Sequence, residues 1–295
     1  MQNKTYSHLV MSGGGMKGIS FVSALETLRI DMTSIRSISG TSIGSIIGLL
    51  LIVGYTPAEL TDVLKNTDFK CLHDISYKHF MKDYGLDTGK NLMLWIIRLI
   101  EPKMNGITYD YRQVTFEQLY ALSGKQFNVT GVKLNTHTLV YFNHKNSPDV
   151  RVLDAIRISV SFPFIFTKCA YKGDVYTDGG VLDNFPIDAV DAPGNILGLR
   201  ITPDSIDFEP LDVSLDIYTT EIINCLLIQI YKLEKLKRVA ECVSVIDINT
   251  SVSVCVDHSI TDETVEILLQ DGVKAVNRFL LNSAILLGSA TATST

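Results

Sequence analysis

Paired cysteines, long apolar runs, excess positive charge and low-complexity tracts are all scarce in this sequence, and each shortage excludes a class of protein. The 295 residues include five cysteines, Cys71, Cys169, Cys225, Cys242 and Cys255. Their number is odd, their spacing is wide and no Cys-x-x-Cys occurs, so neither a disulfide framework nor a zinc site is expected. They read as buried free thiols of a reducing, cytoplasmic compartment. The longest apolar stretch, Ile43 to Val53, is too short for the roughly 20 residues of a membrane span. Arg98 interrupts the stretch Leu92 to Ile100, and Asn224 and Gln229 interrupt Ile222 to Ile230. The first residues are polar and show no charged-then-apolar leader. Any membrane contact is therefore expected to be peripheral. Lys plus Arg number 26 against 32 Asp plus Glu, a net charge of −6. That balance argues against a nucleic-acid binder and against global attraction to anionic membranes. Twenty Gly and eight Pro are too few for a collagenous chain.

What is present is apolar. Hydrophobic residues make up 46% and charged residues 20%, the composition of a chain that folds rather than one that stays disordered. The length admits two domains of about 150 residues or one large α/β domain. With no repeat and no linker visible, one domain over residues 1–287 is favoured, followed by a small, polar, disordered tail at 288–295. Tyr6 to Ser12 reads as a buried strand running into Gly13-Gly14-Gly15-Met16-Lys17-Gly18. Ile19, Val22, Leu25 and Leu28 then recur at helical spacing. Ile35 to Ser39 is a second short strand, followed by Gly40-Thr41-Ser42-Ile43-Gly44 and a helix apolar nearly all round, which must be buried. Two strand–turn–helix units in succession indicate a parallel sheet with crossover helices.

Further along, Thr56-Pro57-Ala58-Glu59 is a capped helix start, and Thr115 with Gln118 caps a helix that closes near Gly124. Gln126 to Leu134 and His137 to Asn143 read as strands, Val150 to Ser159 as a helix. Phe164 to Ala170 and Val175 to Thr177 read as the arms of a hairpin around Lys172-Gly173-Asp174. Asn195 to Thr202 and Val243 to Ile248 read as strands, Leu215 to Arg238 and Thr261 to Leu281 as helices.

Three motifs carry chemistry. Gly40-Thr41-Ser42-Ile43-Gly44 is a Gly-x-Ser-x-Gly pattern between a strand and a helix. A serine on such a sharp turn projects its hydroxyl from the sheet edge, with small residues two before and two after it relieving the crowding. The following helix aims its positive end at the nucleophile. An ordinary glycine turn is the plain alternative. Glycines 13, 15 and 18 match Gly-x-Gly-x-x-Gly, which serves either a dinucleotide pyrophosphate or an oxyanion. The dinucleotide reading needs a carboxylate at the end of the second strand, and that region reads Ile38-Ser39-Gly40. Asp178-Gly179-Gly180 follows an apolar strand end. A carboxylate there can serve as general base if it is desolvated and within reach of the serine. A Ser–Asp–His triad would require His258, whose surroundings, Asp257-His258-Ser259, look like a surface turn.

The order of these motifs resembles the patatin-like phospholipase family. Ser161-Phe162-Pro163-Phe164-Ile165-Phe166 and Asn184-Phe185-Pro186 also resemble family segments. The resemblance covers roughly residues 6–202, leaving 203–287 as a helical and strand-bearing C-terminal part. It implies a three-layer α/β fold with a mostly parallel central sheet and a hydrolase acting on lipid acyl esters, without a cofactor or metal. Ser42 would be the nucleophile and Asp178 its base. The N–H groups of Gly13, Gly14 and Gly15 would form the oxyanion hole, with Gly18, Gly40, Gly44, Gly179 and Gly180 supporting the motifs. Lys17 fills the family's basic position in the glycine loop; a solvated loop lysine is its plain alternative. The partner implied is a lipid substrate at a membrane or micelle surface, with no nucleic acid involved.

Two weaker features bear on lipid contact. The apolar block Leu92 to Ile100, with the only Trp, Trp95, reads as a core helix, with a lipid-facing lid as the alternative. Lys232, Lys235, Lys237 and Arg238 read as a solvated helix face, with a headgroup-binding stripe as the alternative. Competing functions are a Ser–Asp–His carboxylesterase using His258, and a lipid- or nucleotide-binding module without turnover.

Overall fold

The computed structural model describes residues 5–192, 194–202, 243–252 and 260–292, together with residues 218, 222, 225, 226 and 228–233. A mostly parallel central sheet is flanked by helices. Its centre is built by β1 (His8–Met11), β2 (Ser37–Gly40), β4 (Gln126–Lys133), β9 (Ile196–Ile201) and β10 (Val243–Ile248). These run parallel in the order β10-β9-β1-β2-β4. Antiparallel strands complete the far side: β5 (Thr138–Phe142) and β8 (Asp174–Asp178) pair with β4, and β7 (Cys169–Tyr171) pairs with β8.

The two faces of the sheet are covered differently, and the strand alternation shows it. Leu9 and Met11 of β1 and Leu197 and Leu199 of β9 point into the main hydrophobic core. Val10 and Ile196 point the other way, onto Phe185, Ile187 and Val190. The main core is filled by α1 (Ile19–Leu28) and α2 (Ile43–Ile52). In α2 every residue from Gly44 to Ile52 is buried, in keeping with its apolar circumference. Helix α3 (Pro57–Lys65) starts with the capping box expected at Thr56 and Glu59. Helices α5 (Lys90–Met104), α6 (Phe116–Ser123) and α7 (Val152–Ser159) follow, α6 capped by Thr115 and Gln118. The short α4 (Tyr77–Asp83) buries none of its residues.

On the second face the apolar cluster is joined by buried polar ties. Ser39 and Asn128, register partners in β2 and β4, are fully buried and joined by an Asn128 Nδ2 donation to Ser39 Oγ at 2.9 Å. Asn128 also donates to the Ala189 carbonyl at 3.2 Å. Thr130 Oγ1 donates to Thr41 Oγ1 at 2.8 Å, and Thr41 donates on to the Asp183 carbonyl at 3.1 Å. Buried hydroxyls and amides are tolerated here because each finds a partner. The result ties residues 183–189 down over the carboxyl ends of β1 and β2.

Four sequence expectations change. Phe164–Phe166 does not continue the hairpin arm: as β6 it leaves the sheet to pair in parallel with β3 (Gly85–Asp87). Phe164 turns the chain there with φ 68°, a value a bulky L-residue rarely adopts. Cysteine burial is the second. Cys71 and Cys225 are exposed and Cys169 is half-buried, all three free; Cys242 and Cys255 lie outside the described residues. Third, helix α8 starts at Asp262 as expected but runs to Ala292, into the stretch read as a disordered tail; no proline stops it. Fourth, α4 and β3 have no counterpart in the sequence reading. The apolar block in α5 behaves as a core helix: Ile96 and Ile100 are buried and Trp95 is packed against the main core, lining a small apolar cavity with Ile19, Val22 and Leu60. Most of the Leu215 to Arg238 segment, including Lys235, Lys237 and Arg238, lies outside the described residues; Lys232 is exposed. No described helix is long and apolar enough to cross a membrane.

One close backbone approach at the sheet centre is testable. A Cβ on Gly44 would lie 2.4 Å from the Met11 carbonyl oxygen, and a backbone neighbour at the sheet centre cannot swing aside. Gly44→Ala is expected to destabilise the chain by about 3 kcal/mol, read as a lowered urea midpoint.

Candidate active site

The site begins at the end of β2. Ser42 has φ 52° and ψ −122°, a conformation disfavoured for an L-residue and common at functional turns. The turn closes because its flanking glycines lack side chains. A Cβ on Gly40 would sit 2.4 Å from the Gly44 carbonyl group. The Thr41 N–H donates to the Met11 carbonyl at 3.2 Å, and the Ser42 N–H donates to Ser159 Oγ at 2.9 Å. Ser42 thereby stands at the N-terminus of buried α2, where unpaired N–H groups favour negative charge.

Asp178 ends β8 and is 1% exposed. Its N–H donates to the Ser161 carbonyl, and its Oδ1 accepts from the Gly180 N–H at 2.7 Å. Oδ2 is buried with no hydrogen-bond partner. Burial pushes the carboxyl up to about 7, against the smaller acidifying effects of the Gly180 N–H and the Ser42 hydroxyl. Ser42 is thus near enough to act on the acidity of Asp178, yet no closed hydrogen bond joins them. The pair is adjacent and unlocked, as reacting groups often are without substrate. Gly179 is required beside it, since a Cβ there would lie 2.0 Å from Thr130 Oγ1.

The glycine turn completes the site. A Cβ on Gly13 would meet Ser42 Cβ at 3.4 Å and Asn184 Oδ1 at 2.4 Å, and one on Gly180 would meet the same Asn184 oxygen at 2.8 Å. Asn184 therefore sits between the first glycine loop and the Asp-Gly-Gly turn; the sequence marks it only as part of the family-like segment Asn184-Phe185-Pro186 and assigns it no role. The Gly13 N–H donates to the Asn184 carbonyl at 3.0 Å. It is committed to the fold, so of the three oxyanion donors that the family resemblance implies, Gly13 has its N–H already occupied. Gly15 has φ 55° and opens the short 3-10 turn Gly15–Gly18. Lys17 is only 4% exposed and does not line the cavity. It is neither a solvated loop residue nor a group facing this pocket. Gly18 packs on Ile43, where a Cβ would approach to 2.5 Å.

Ser42, Asp178, Gly13, Gly14, Gly15 and Asn184 open together into one cavity of about 150 Å³. Its remaining walls are apolar, chiefly Met16, Ile43, Ile46, Leu92, Val160 and Phe162, and His73 is a polar exception. His73 Nδ1 lies 2.7 Å from the buried carboxylate of Asp87. That carboxylate stays below its usual range: burial raises it, but the contacts to His73, Asp74 and the Gly89 N–H outweigh burial. The sequence has no pattern that would bring His73 here, because Ser42, the nearest in sequence of the candidate reacting residues, is 31 positions away. Among the other histidines, His8 is bonded to Ser37 and His144 is stacked on Tyr120; His258 lies outside the described residues. No group of three or more His, Cys, Asp or Glu among the described residues is placed to hold a metal ion.

A serine elbow, a glycine turn and a buried aspartate at the carboxyl end of a mostly parallel sheet define an α/β protein of the patatin type. The chain belongs to the patatin-like phospholipase family, whose family model matches residues 9–191. It is 33% identical over 196 residues to "Probable lipid hydrolase 463L" of Invertebrate iridescent virus 6, with 64% of each chain covered. It is 32% identical over 190 residues to the uncharacterised protein R571 of Acanthamoeba polyphaga mimivirus, covering 62% of this chain and 61% of that one. The matches thus span a little under two thirds of these relatives. Among solved structures, VipD from Legionella pneumophila superposes with TM-score 0.56 at 17% identity, over 94% of this chain and 67% of that one. The type III effector ExoU gives 0.52 at 18% identity, over 94% and 53%. These two likenesses establish the fold.

The raised pKa of Asp178 has a consequence for stability. The folded chain holds this proton more tightly than the unfolded chain, whose aspartates titrate near 3.8. Stability therefore declines as pH rises from about 4 to about 7 and stays reduced above that. Three pKa units set a ceiling of about 4 kcal/mol. Asp178→Asn is expected to raise the unfolding free energy at pH 8 by about 1–4 kcal/mol. The gain should vanish near pH 4, as read from denaturant melts at both pH values.

Proposed function

We propose that this chain is a metal-independent lipid acyl hydrolase working through a Ser42–Asp178 dyad. The observation that carries this reading is the pairing of a strained serine with a buried carboxylate oxygen that has no partner, both facing one apolar cavity. A structural aspartate would have both oxygens satisfied. A carboxyl titrating near 7 is matched to accepting and returning a proton at neutral pH.

The steps follow from the geometry. Asp178 Oδ2 takes the Ser42 proton as Oγ attacks the ester carbonyl. The tetrahedral oxyanion forms beside the glycine turn, where Gly14 and Gly15 supply the candidate donors and the N-terminus of α2 adds its positive end. The ester C–O bond breaks, and the leaving alkoxide takes the proton from Asp178. Water, deprotonated by the same carboxylate, then attacks the acyl-enzyme. The fatty acid leaves and Ser42 recovers its proton. The apolar walls favour an acyl chain. A dry cavity of about 150 Å³ in another protein holds a benzene-sized molecule, so short acyl groups fit as the pocket stands and long chains must extend through its mouth. Family membership and the lipid-hydrolase relative support the substrate class.

Two measurements test this. Wild-type protein should release fatty acid from phospholipid vesicles in EDTA and hydrolyse p-nitrophenyl butyrate, while Ser42→Ala and Asp178→Asn each lose about three powers of ten or more in kcat. Undiminished hydrolysis by Ser42→Ala would overturn the mechanism. The base must be ionised to act, so kcat/KM should fall as pH drops through about 7 and level off above it. A profile flat from pH 5 to 9 would remove Asp178 as the base.

A further inference from the structure

Helix α4 and its neighbours form a surface that neither the core nor the cavity explains. The helix buries no residue. Tyr77 and Met81, at i and i+4, share one face, and Tyr84 follows as the left-handed cap that ends the helix; the three are 76%, 81% and 63% exposed. Ile75 and Phe164 extend the patch, Phe164 lying 6.5 Å from the Phe80 ring. An exposed cluster of this size marks a contact surface.

Its position and its charge point to one occupant. The patch is continuous with the rim of the cavity along two stretches of chain. Leu72 and His73 line the cavity and Ile75 and Tyr77 emerge from it; Phe162, Ile165 and Phe166 line the cavity while Phe164, between them, faces out. The positive φ of Phe164 makes this split possible in a three-residue strand. Along the helix the exposed charge reverses that of the chain, Asp74 beside Ile75 being bonded to Thr88. Lys78 and Lys82 are exposed beside the aromatic face, and Asp83, the acid in this turn, is neutralised by Lys168 at 3.4 Å. The same lysine lies 4.7 Å above the Tyr84 ring. Tyrosines with an apolar body and a polar tip, bordered by lysines, match the boundary between headgroups and acyl chains, and lysines favour anionic lipid.

We propose that α4, with Ile75, Tyr84 and Phe164, is the face by which this protein docks on an anionic phospholipid surface, setting the cavity beside the bilayer. This deepens the hydrolase reading and rests on it for the nature of the cavity's ligand.

The test uses the full chain carrying Ser42→Ala, so that vesicles stay intact. Sedimentation with phosphatidylcholine vesicles, with and without phosphatidylglycerol, measures binding. The combined substitution Tyr77→Ser, Met81→Ser and Tyr84→Ser is expected to weaken vesicle binding about tenfold or more. Lys78→Glu with Lys82→Glu should abolish the preference for phosphatidylglycerol. In the catalytic background the triple variant should hydrolyse p-nitrophenyl butyrate at the wild-type rate, which also shows that it folds. Unchanged vesicle binding by the triple variant overturns the proposal. So does a change in solution oligomeric state without loss of vesicle binding, which would assign the face to a protein partner. Vesicle binding that depends on this face in a protein that cleaves no ester would support the docking surface and sink the hydrolase reading. Ester hydrolysis without vesicle binding would do the reverse.

Discussion

At Ser42 the backbone is held at φ 52° and ψ −122°, against the preference of every L-residue, and the surroundings leave it nowhere else to go. Gly40 and Gly44 let β2 and α2 approach so closely that any side chain at either position would overlap backbone. The Ser42 N–H is taken by Ser159 on α7 and the Thr41 N–H by β1. The cost of the strained residue, of order 1–3 kcal/mol, is offset by the buried apolar helix that the turn launches. Nine consecutive residues of α2 leave solvent, and each large side chain among them contributes about 1.5–3 kcal/mol. The helix that stabilises the core therefore also holds the serine in place.

The second constraint is electrostatic. Asp178 is placed by backbone bonds to Ser161 and Gly180, and the polar ties from Thr130, Thr41 and Asn128 hold residues 183–189 over it. Among the buried side-chain atoms of this site, one Asp178 carboxylate oxygen is left without a partner. A group left with desolvation and little compensation titrates high, which is why this carboxyl sits near neutrality while Asp87, also buried, stays ionised beside His73. Burial is common to both. The partner on Asp87 and the missing partner on Asp178 separate them. In the proposed mechanism the stability given up at Asp178 is the free energy that readies it to accept a proton.

Much of the fold was legible because its signals are local. The Gly-x-Ser-x-Gly turn, the capping boxes at Thr56 and Thr115 and the all-apolar α2 each depend on residues within a few positions of one another, and each occurs where local rules put it. The candidate dyad was legible for the same reason, since each member sits in its own short motif. What failed was non-local. Phe164–Phe166 reads as part of a hairpin until β3 is available to pair with it, and β3 carries too few residues to announce itself. Gly13 reads as an oxyanion donor until the Asn184 carbonyl, 171 positions away, claims its N–H. Lys17 reads as a solvated lysine until the turn buries it.

By itself the sequence determined the strand–turn–helix units, the parallel sheet they imply and the residue types at the reacting positions. All of these are set by backbone sterics and by hydrophobic periodicity over short spans. The tertiary structure alone decided that Ser42 and Asp178 share a cavity, that Asp178 keeps one oxygen unpartnered, that Asn184 and His73 join the site, and that α4 presents its aromatic face at the rim. Acidity, burial and adjacency are properties of the surroundings of a side chain, and those surroundings are assembled from segments more than a hundred residues apart.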